Sequence, residues 1–222
     1  MQLFPSGRPG TCGAPPMTTV PVDEDGARGN LYALLGRLLS GAPDRELIEL
    51  LREISPDPAD DSLLAASWQM LAVAAARADL EQLRHEYDAL FIGIGRGEVV
   101  PYGSWYLTGF LMEQPLAQLR GDLRELGIER QPGVHEPEDH AAALCDTMAL
   151  LITGETPAPL EQQQGFYVRH LEPWLARFFR DLQQAPSARF YRAVGQLGEQ
   201  FIGVESQAFR VAIPAAGGAT PS

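Results

Sequence analysis

Apolar residues recur along this chain at spacings of three and four, and no sustained alternation of period two bounded by turn residues is found. Leu31, Leu34, Leu35, Leu38 and Leu39 form one stripe before Gly41, with Asn30 placed to cap the helix start. Asp44 caps a second helix, in which Leu47, Ile48, Leu51 and Ile54 face inward until Pro56 and Pro58 stop it. An Ala-rich helix opens at Asp61 or Ser62 and extends to about Ala78. The next carries Leu80, Leu83, Tyr87, Leu90 and Phe91 on one face. Gly93, Gly95 and Gly97 then lead into Val99-Val100-Pro101-Tyr102-Gly103-Ser104, too rich in Gly and Pro to be helical throughout. Ser104 is the expected N-cap of a helix from Trp105 to about Met112. Pro115 suits the first turn of another that ends at Gly127. Pro137 is the expected start of a helix with Leu144, Met148, Leu151 and Ile152, which ends near Gly154. Leu160 to His170 and Trp174 to Gln184 read as two pieces separated by Pro173. Ser187 caps a long final helix with Phe190, Val194, Leu197, Phe201 and Val204 on one side. The expected fold is all-α: a single compact helical domain over 29–210, with flexible tails at 1–28 and 211–222.

Composition narrows the classes of function. The 222 residues hold 17 Lys+Arg against 29 Asp+Glu, a formal charge of −12. Such a surface repels phosphate backbones, so no nucleic-acid partner is expected, and it favours encounter with a basic ligand such as an Arg-bearing peptide. A hydrophobic share of 45% excludes disorder throughout. Cys12 and Cys145 are too few for a disulfide framework, which fits a reducing compartment. Residues 1–20 lack an apolar secretory core, and nothing before Met17 reads as structured, which makes Met17 a second candidate start. The most apolar window, 62–78, is interrupted by Ser67, Gln69 and Arg77 and falls short of the about 20 residues that span a bilayer. The expected location is the cytoplasm, without membrane insertion.

Catalytic and metal chemistry find little support. Gly93-x-Gly95-x-Gly97 has neither dinucleotide nor phosphate-loop spacing and follows a helix. His135 and His140 are five apart with Pro137 between them, which is wrong for a zinc pair on one helical face. Glu136, Glu138 and Asp139 suit a helix N-terminus, although a charged His140 there does not. Cys145 sits in an apolar stripe, His85 and His170 stand alone, and Ser104 lacks the setting of a nucleophile. No catalytic residue, metal or cofactor is therefore expected. What remains is a loop and helix start with Val99, Val100, Pro101, Tyr102, Trp105 and Tyr106, which either plugs a gap between helical layers or forms a peptide groove.

Three elements carry a resemblance: Glu86-Tyr87-x-x-Leu90-Phe91-x-Gly93, then Pro101-Tyr102-x-Ser104-x-Tyr106, then Glu136-Pro137-Glu138-Asp139-His140 with Met148. In order and spacing the chain resembles the TorD/DmsD/NarJ-like cytoplasmic chaperones of molybdoenzymes over about 30–210. The resemblance implies an all-helical protein that binds the twin-arginine leader, or the apo form, of a molybdopterin oxidoreductase catalytic subunit. Such a chaperone assists cofactor insertion and proofreads before export. It further implies a monomer or domain-swapped homodimer, and a peptide site drawn from Tyr87, Leu90, Phe91, Pro101, Tyr102, Ser104, Tyr106, Glu136, Pro137, Asp139 and His140. Phe91, Tyr102 and Tyr106 would line its groove, while Glu136 and Asp139 would meet the leader's guanidinium groups. Gly103 stands where many relatives have Glu, and Leu144-Cys145 replaces a common Glu-Leu pair. The text around 87–93 and 106–111 looks most like members associated with formate dehydrogenases. The rival readings are a nucleotide switch or weak GTPase using the acidic and histidine cluster, and a purely structural helical adaptor.

Overall fold

The computed structural model of the protein describes residues 24–93, 96–130 and 136–212. The two Gly/Pro-bearing ends, the first with Cys12 and Met17, lie outside these residues, as do Gly95 and His135. The described residues fold into α1 (Glu24–Ser40), α2 (Arg45–Glu53), α3 (Leu63–Ala76), α4 (Leu80–Tyr87), a π-helical turn (Asp88–Ile92), α5 (Gly103–Thr108), α6 (Gln114–Glu125), α7 (Ala141–Thr153), α8 (Leu160–His170), α9 (Leu175–Gln184) and α10 (Phe190–Ala212). No strand occurs among them. The all-α expectation holds.

Several ends follow the local chemistry read from the sequence. Asp44 accepts from the Leu47 amide at the start of α2, and Ser62 from the Ala65 amide at the start of α3. Gly127, with φ +69°, closes α6 as the left-handed residue past its end. The start of α1 is a correction. Asn30 lies inside that helix, which begins at Glu24, so residues 24–28 belong to it and not to a tail. The acids Glu24 and Asp25 in its first turn complement the positive end of the helix dipole. At the other end α10 continues through Ala212, two residues into the expected tail.

α7 is buried nearly all round through Ala141, Ala142, Leu144, Cys145, Met148, Ala149, Leu151 and Ile152. It packs chiefly on α1, whose Leu31, Leu35, Leu38 and Leu39 are buried as their spacing predicts. A second layer forms where α10 lies against α9 and α3. Gly198 permits that approach, because a Cβ there would sit 2.3 Å from the Phe179 ring. Trp174, Phe166, Tyr167, Phe178 and Phe179 fill the core around it. On α10 the expected stripe ends differently: Val204 is exposed, and Glu205, only 1% exposed, takes the buried position. The buried face advances by four, three and four from Val194 through Gly198 and Phe201 to Glu205, so helical phase overrides hydrophobicity here. Arg28 of α1 meets Glu205 with two parallel hydrogen bonds of 2.8 and 2.9 Å, and the Tyr32 hydroxyl donates a third at 3.1 Å.

The start of α10 is also a correction. Ser187 does not cap it; its amide and hydroxyl both bond Glu98. Glu86 of α4 performs the capping from a distance. One carboxylate oxygen accepts from the amides of Arg189 and Tyr191, both at 2.8 Å, and the other from Phe190 at 3.2 Å. A carboxylate on a helix N-terminus satisfies amides that have no partner within the helix and complements the dipole. Glu86→Ala is expected to lower unfolding stability by about 2 kcal/mol, and Glu86→Gln by less, since the amide keeps an acceptor without the charge. Urea denaturation measures both. Equal stability of all three proteins would mean that these amides need no carboxylate.

Candidate functional site

The motif segments meet at the base of α5 and α7. Pro101–Ser104 runs antiparallel to Asp139–Ala141: the Ala141 amide donates to the Pro101 carbonyl at 2.8 Å, and the Gly103 amide to the Asp139 carbonyl at 2.9 Å. Tyr102 and His140 form the isolated bridge between them. The Ser104 amide donates to Asp139 Oδ2 at 2.8 Å, which ties the side chain of one motif to the backbone of the other. The Tyr102 hydroxyl donates to Glu136, and its ring packs edge-on to His140 at 5.1 Å. Burial, with that hydrogen bond behind it, holds the Tyr102 hydroxyl well above its usual range, so it stays a donor.

His140 takes a role that sequence spacing did not assign. The chain does not enter a helix at Pro137. Pro137 to His140 is a turn, with the His140 amide donating to the Pro137 carbonyl at 3.1 Å, and α7 starts at Ala141. His140 is its N-cap: Nδ1 accepts from the Ala142 amide at 3.1 Å. An accepting Nδ1 requires the neutral ring. Burial keeps it so by lowering the pKa below 6.5, against the opposing fields of Glu136 and Asp139. A neutral imidazole at a helix N-terminus removes the conflict that a charged one would create.

A cavity of about 230 Å³ opens beside this clasp, lined by Tyr102, Ser104, Glu136, Pro137 and Asp139 together with Leu111 and Met112. Asp139 is 3% exposed, and its Oδ1 has no hydrogen-bond partner among the described residues. Glu136 is exposed at the rim. Leu111 and Met112 were not singled out from the sequence, and they extend an exposed apolar lip that includes Leu107 and Phe110. The expected helix from Trp105 to Met112 ends at Thr108, because Gly109 adopts φ +82° and Met112 itself φ +58°. Ser104 lies within α5 instead of capping it, and its Oγ accepts from the Met112 amide at 3.2 Å, which pins the lip to the site.

The remaining motif residues are elsewhere. Phe91 packs on Tyr87 and Tyr191, with ring centroids 4.9 and 5.4 Å away, and does not line this cavity. Tyr87 donates to the Leu39 carbonyl at 3.1 Å, and burial raises its hydroxyl to about 12. Leu90 and Pro101 are buried. Tyr106 stacks near Trp174 and Phe178, donates to Asp181 at 2.8 Å and lies beneath the Arg177 guanidinium. The single groove of Phe91, Tyr102 and Tyr106 is therefore split. Phe91 and Tyr106 plug gaps between helices, and Tyr102 alone of the three reaches the cavity. Gly93, at φ +59°, lets the chain reverse after the π-turn, where a Cβ would sit 2.1 Å from the Arg96 carbonyl oxygen. Among the described residues no three His, Cys, Asp or Glu side chains converge as metal ligands.

The model of the nitrate reductase delta subunit family matches residues 57–180, which contain both halves of the clasp. The chain belongs to that family. It is a TorD-like molybdoenzyme maturation chaperone, as the motifs implied, and its relatives are named as chaperones and not as enzymes. The chaperone protein TorD of Shewanella loihica is 25% identical over 202 residues, covering 82% of this chain and 92% of that one. TorD of Vibrio cholerae (Classical Ogawa) is 30% identical over 159 residues, 65% and 72% of the two chains. The Tat proofreading chaperone DmsD of Salmonella typhimurium is 33% identical over 119 residues, 53% and 57%. In fold, the chain is similar to a crystal structure described as a redox enzyme maturation protein from Archaeoglobus fulgidus. That similarity has a TM-score of 0.54 at 16% identity and covers 79% of this chain and 93% of that one.

The capping role of His140 predicts a pH dependence of this TorD-like domain. Burial also lowers the pKa of His170, despite its 2.7 Å contact with Asp122. With both folded values below 6.5, the unfolded chain binds more protons than the folded one as pH falls past 6.5. Stability is therefore full above that value and declines as pH drops toward the depressed folded pKa values. His140→Asn keeps a capping acceptor that does not titrate. Between about pH 7.5 and 5.5 its urea midpoint is expected to fall less than that of the wild type. Parallel slopes would remove His140 from the account.

Proposed function

We propose that the chain binds the twin-arginine leader of a molybdopterin oxidoreductase catalytic subunit in the cytoplasm, at the cavity between α5 and α7, and so holds the apo subunit until its cofactor is inserted. A leader joins two arginines to an apolar stretch. The observation that carries the reading is a buried carboxylate oxygen of Asp139 with no partner among the described residues, in a cavity with exposed Glu136 at its rim and an apolar lip beside it. Guanidinium groups answer the carboxylates, and the apolar stretch answers Phe110, Leu111 and Met112, of which Met112 is 72% exposed. The −12 charge speeds encounter with a cationic peptide. The names of TorD and DmsD relatives point the same way, and among the described residues no helix is long and apolar enough to cross a membrane.

Magnitudes favour a reversible complex. Burying about 300 Å² of leader at about 25 cal/mol/Å² supplies about 7 kcal/mol at most. Ordering the leader consumes several kcal/mol, which leaves a dissociation constant in the micromolar range and easy release. Asp139 is too buried to act as a screened surface charge, so the salt-sensitive contact falls to Glu136.

Titration of a fluorescent leader peptide tests this, first with a formate dehydrogenase leader, to which the 87–93 and 106–111 text points. Met112→Glu is expected to weaken binding by about tenfold at all salt concentrations. Glu136→Gln is expected to weaken it mainly below about 0.1 M salt, where the Debye length exceeds about 10 Å. Asp139→Asn should weaken it at every salt concentration. Unchanged affinity in all three folded variants would overturn the assignment.

A further inference from the structure

A second and larger groove, of about 900 Å³, lies between α3, α4 and the start of α10. Its floor is apolar, with Met70, Val73, Leu83 and Phe190 among the lining side chains, and Met70 and Val73 are exposed. Leu63, Met70 and Val73 follow one another at helical spacing along the outer face of α3, with Arg77 just past its end, so the apolar row extends beyond the groove. Three arginines border it: Arg77, Arg189 and Arg192. Neither Arg77 nor Arg189 has a side-chain partner among the described residues, and Arg192 bonds only the Gln183 carbonyl.

Among the described residues the acids of the groove form no ion pair with these arginines. Asp79 Oδ1 accepts from the amides of Glu81 and Gln82 at the start of α4, and both carboxylate oxygens of Glu86 accept at the start of α10. On a chain of charge −12, arginines left without carboxylates along an exposed apolar row mark a surface that a partner completes. The leader is the wrong occupant. Its arginines would face Arg77, Arg189 and Arg192, whereas the cavity at Glu136 and Asp139 suits them.

We propose that this groove docks an amphipathic helix whose apolar stripe is bordered by carboxylates, presented by the body of the client chain. The source of the helix rests on the chaperone reading above; its chemistry rests on the groove alone. A helix in a groove between helices is a common recognition mode, and a flexible thioether such as that of Met70 adapts to varied apolar partners. The chaperone then holds its client at two places of opposite sign, a cationic leader at the α5–α7 cavity and an acidic helix at the α3–α10 groove.

Methionine methyl NMR separates the two sites, because Met70 lines the groove, Met112 lines the cavity and Met148 lies in the core. The probes are a synthetic amphipathic helix with Leu on one face and Glu at its borders, the same peptide with Lys for Glu, and a twin-arginine leader peptide. The Glu peptide is expected to shift Met70 and leave Met112 in place; the leader should do the reverse. Arg189→Glu combined with Arg192→Glu should weaken the Glu peptide by about tenfold and leave leader affinity unchanged, which also verifies that the variant is folded. The proposal is overturned if the Glu peptide leaves Met70 unmoved, if the Lys peptide shifts it equally, or if Met70 shifts with protein concentration alone, which would make a second copy the occupant. A leader that fails to move Met112 while the Glu peptide moves Met70 would remove the leader site and leave the groove standing.

Discussion

The short antiparallel clasp between Pro101–Ser104 and Asp139–Ala141 is the contact on which the site depends. Two backbone hydrogen bonds and the bond from Ser104 to Asp139 Oδ2 hold together segments separated by more than 30 positions in sequence. They fix the start of α7, the most buried helix, relative to the start of α5, from which the apolar lip emerges. Closing so long a loop costs entropy, and a buried carboxylate that engages a backbone amide is one of the stronger ways to offset it. The same carboxylate retains one oxygen without a partner among the described residues. Its structural work and its proposed binding work thus reside on different atoms of one side chain.

Two helix starts in this protein are satisfied by a group from another element or by an uncommon cap. Glu86 of α4 serves α10 and the neutral ring of His140 serves α7, while Asp44, Ser62 and Asp79 act in the ordinary local way. Part of the large acidic excess is explained by this duty. Asp79 and Glu86 turn oxygens toward amides and pair with no arginine among the described residues, so Arg77, Arg189 and Arg192 border the groove without a carboxylate in contact.

The helices themselves were legible, because three-and-four spacing and the signals at Asp44, Ser62, Pro115 and Gly127 each act on residues a few positions away. The motif pairs were legible too, through resemblance. Geometry that depends on distant partners was not. Val204 looked like a core residue because it is apolar, yet the phase of α10 gives that place to Glu205, whose charge is met by Arg28 from the far end of the chain. Ser187 looked like a cap, but the helix begins later and takes Glu86. Phe91 and Tyr106 carry the right motif and aromatic character for a groove, and only their packing against Tyr191 and Trp174 shows them half-buried between helices. The spacing at 107–112 predicts helix. Gly109 was the available signal that it breaks, since a left-handed glycine there stops α5 and turns Leu111 and Met112 toward the cavity.

The central claim is that the leader's apolar stretch lies on this lip and not in a groove formed by Phe91. Photo-crosslinking tests it most directly, with benzoylphenylalanine placed at Phe110 or, separately, at Phe91 in the intact protein. Phe110 is 69% exposed at the lip, whereas Phe91 is wedged against Tyr87 and Tyr191. The account predicts crosslinks from position 110 to the apolar part of a twin-arginine leader and none from position 91. Crosslinks from position 91 with none from 110 would contradict it.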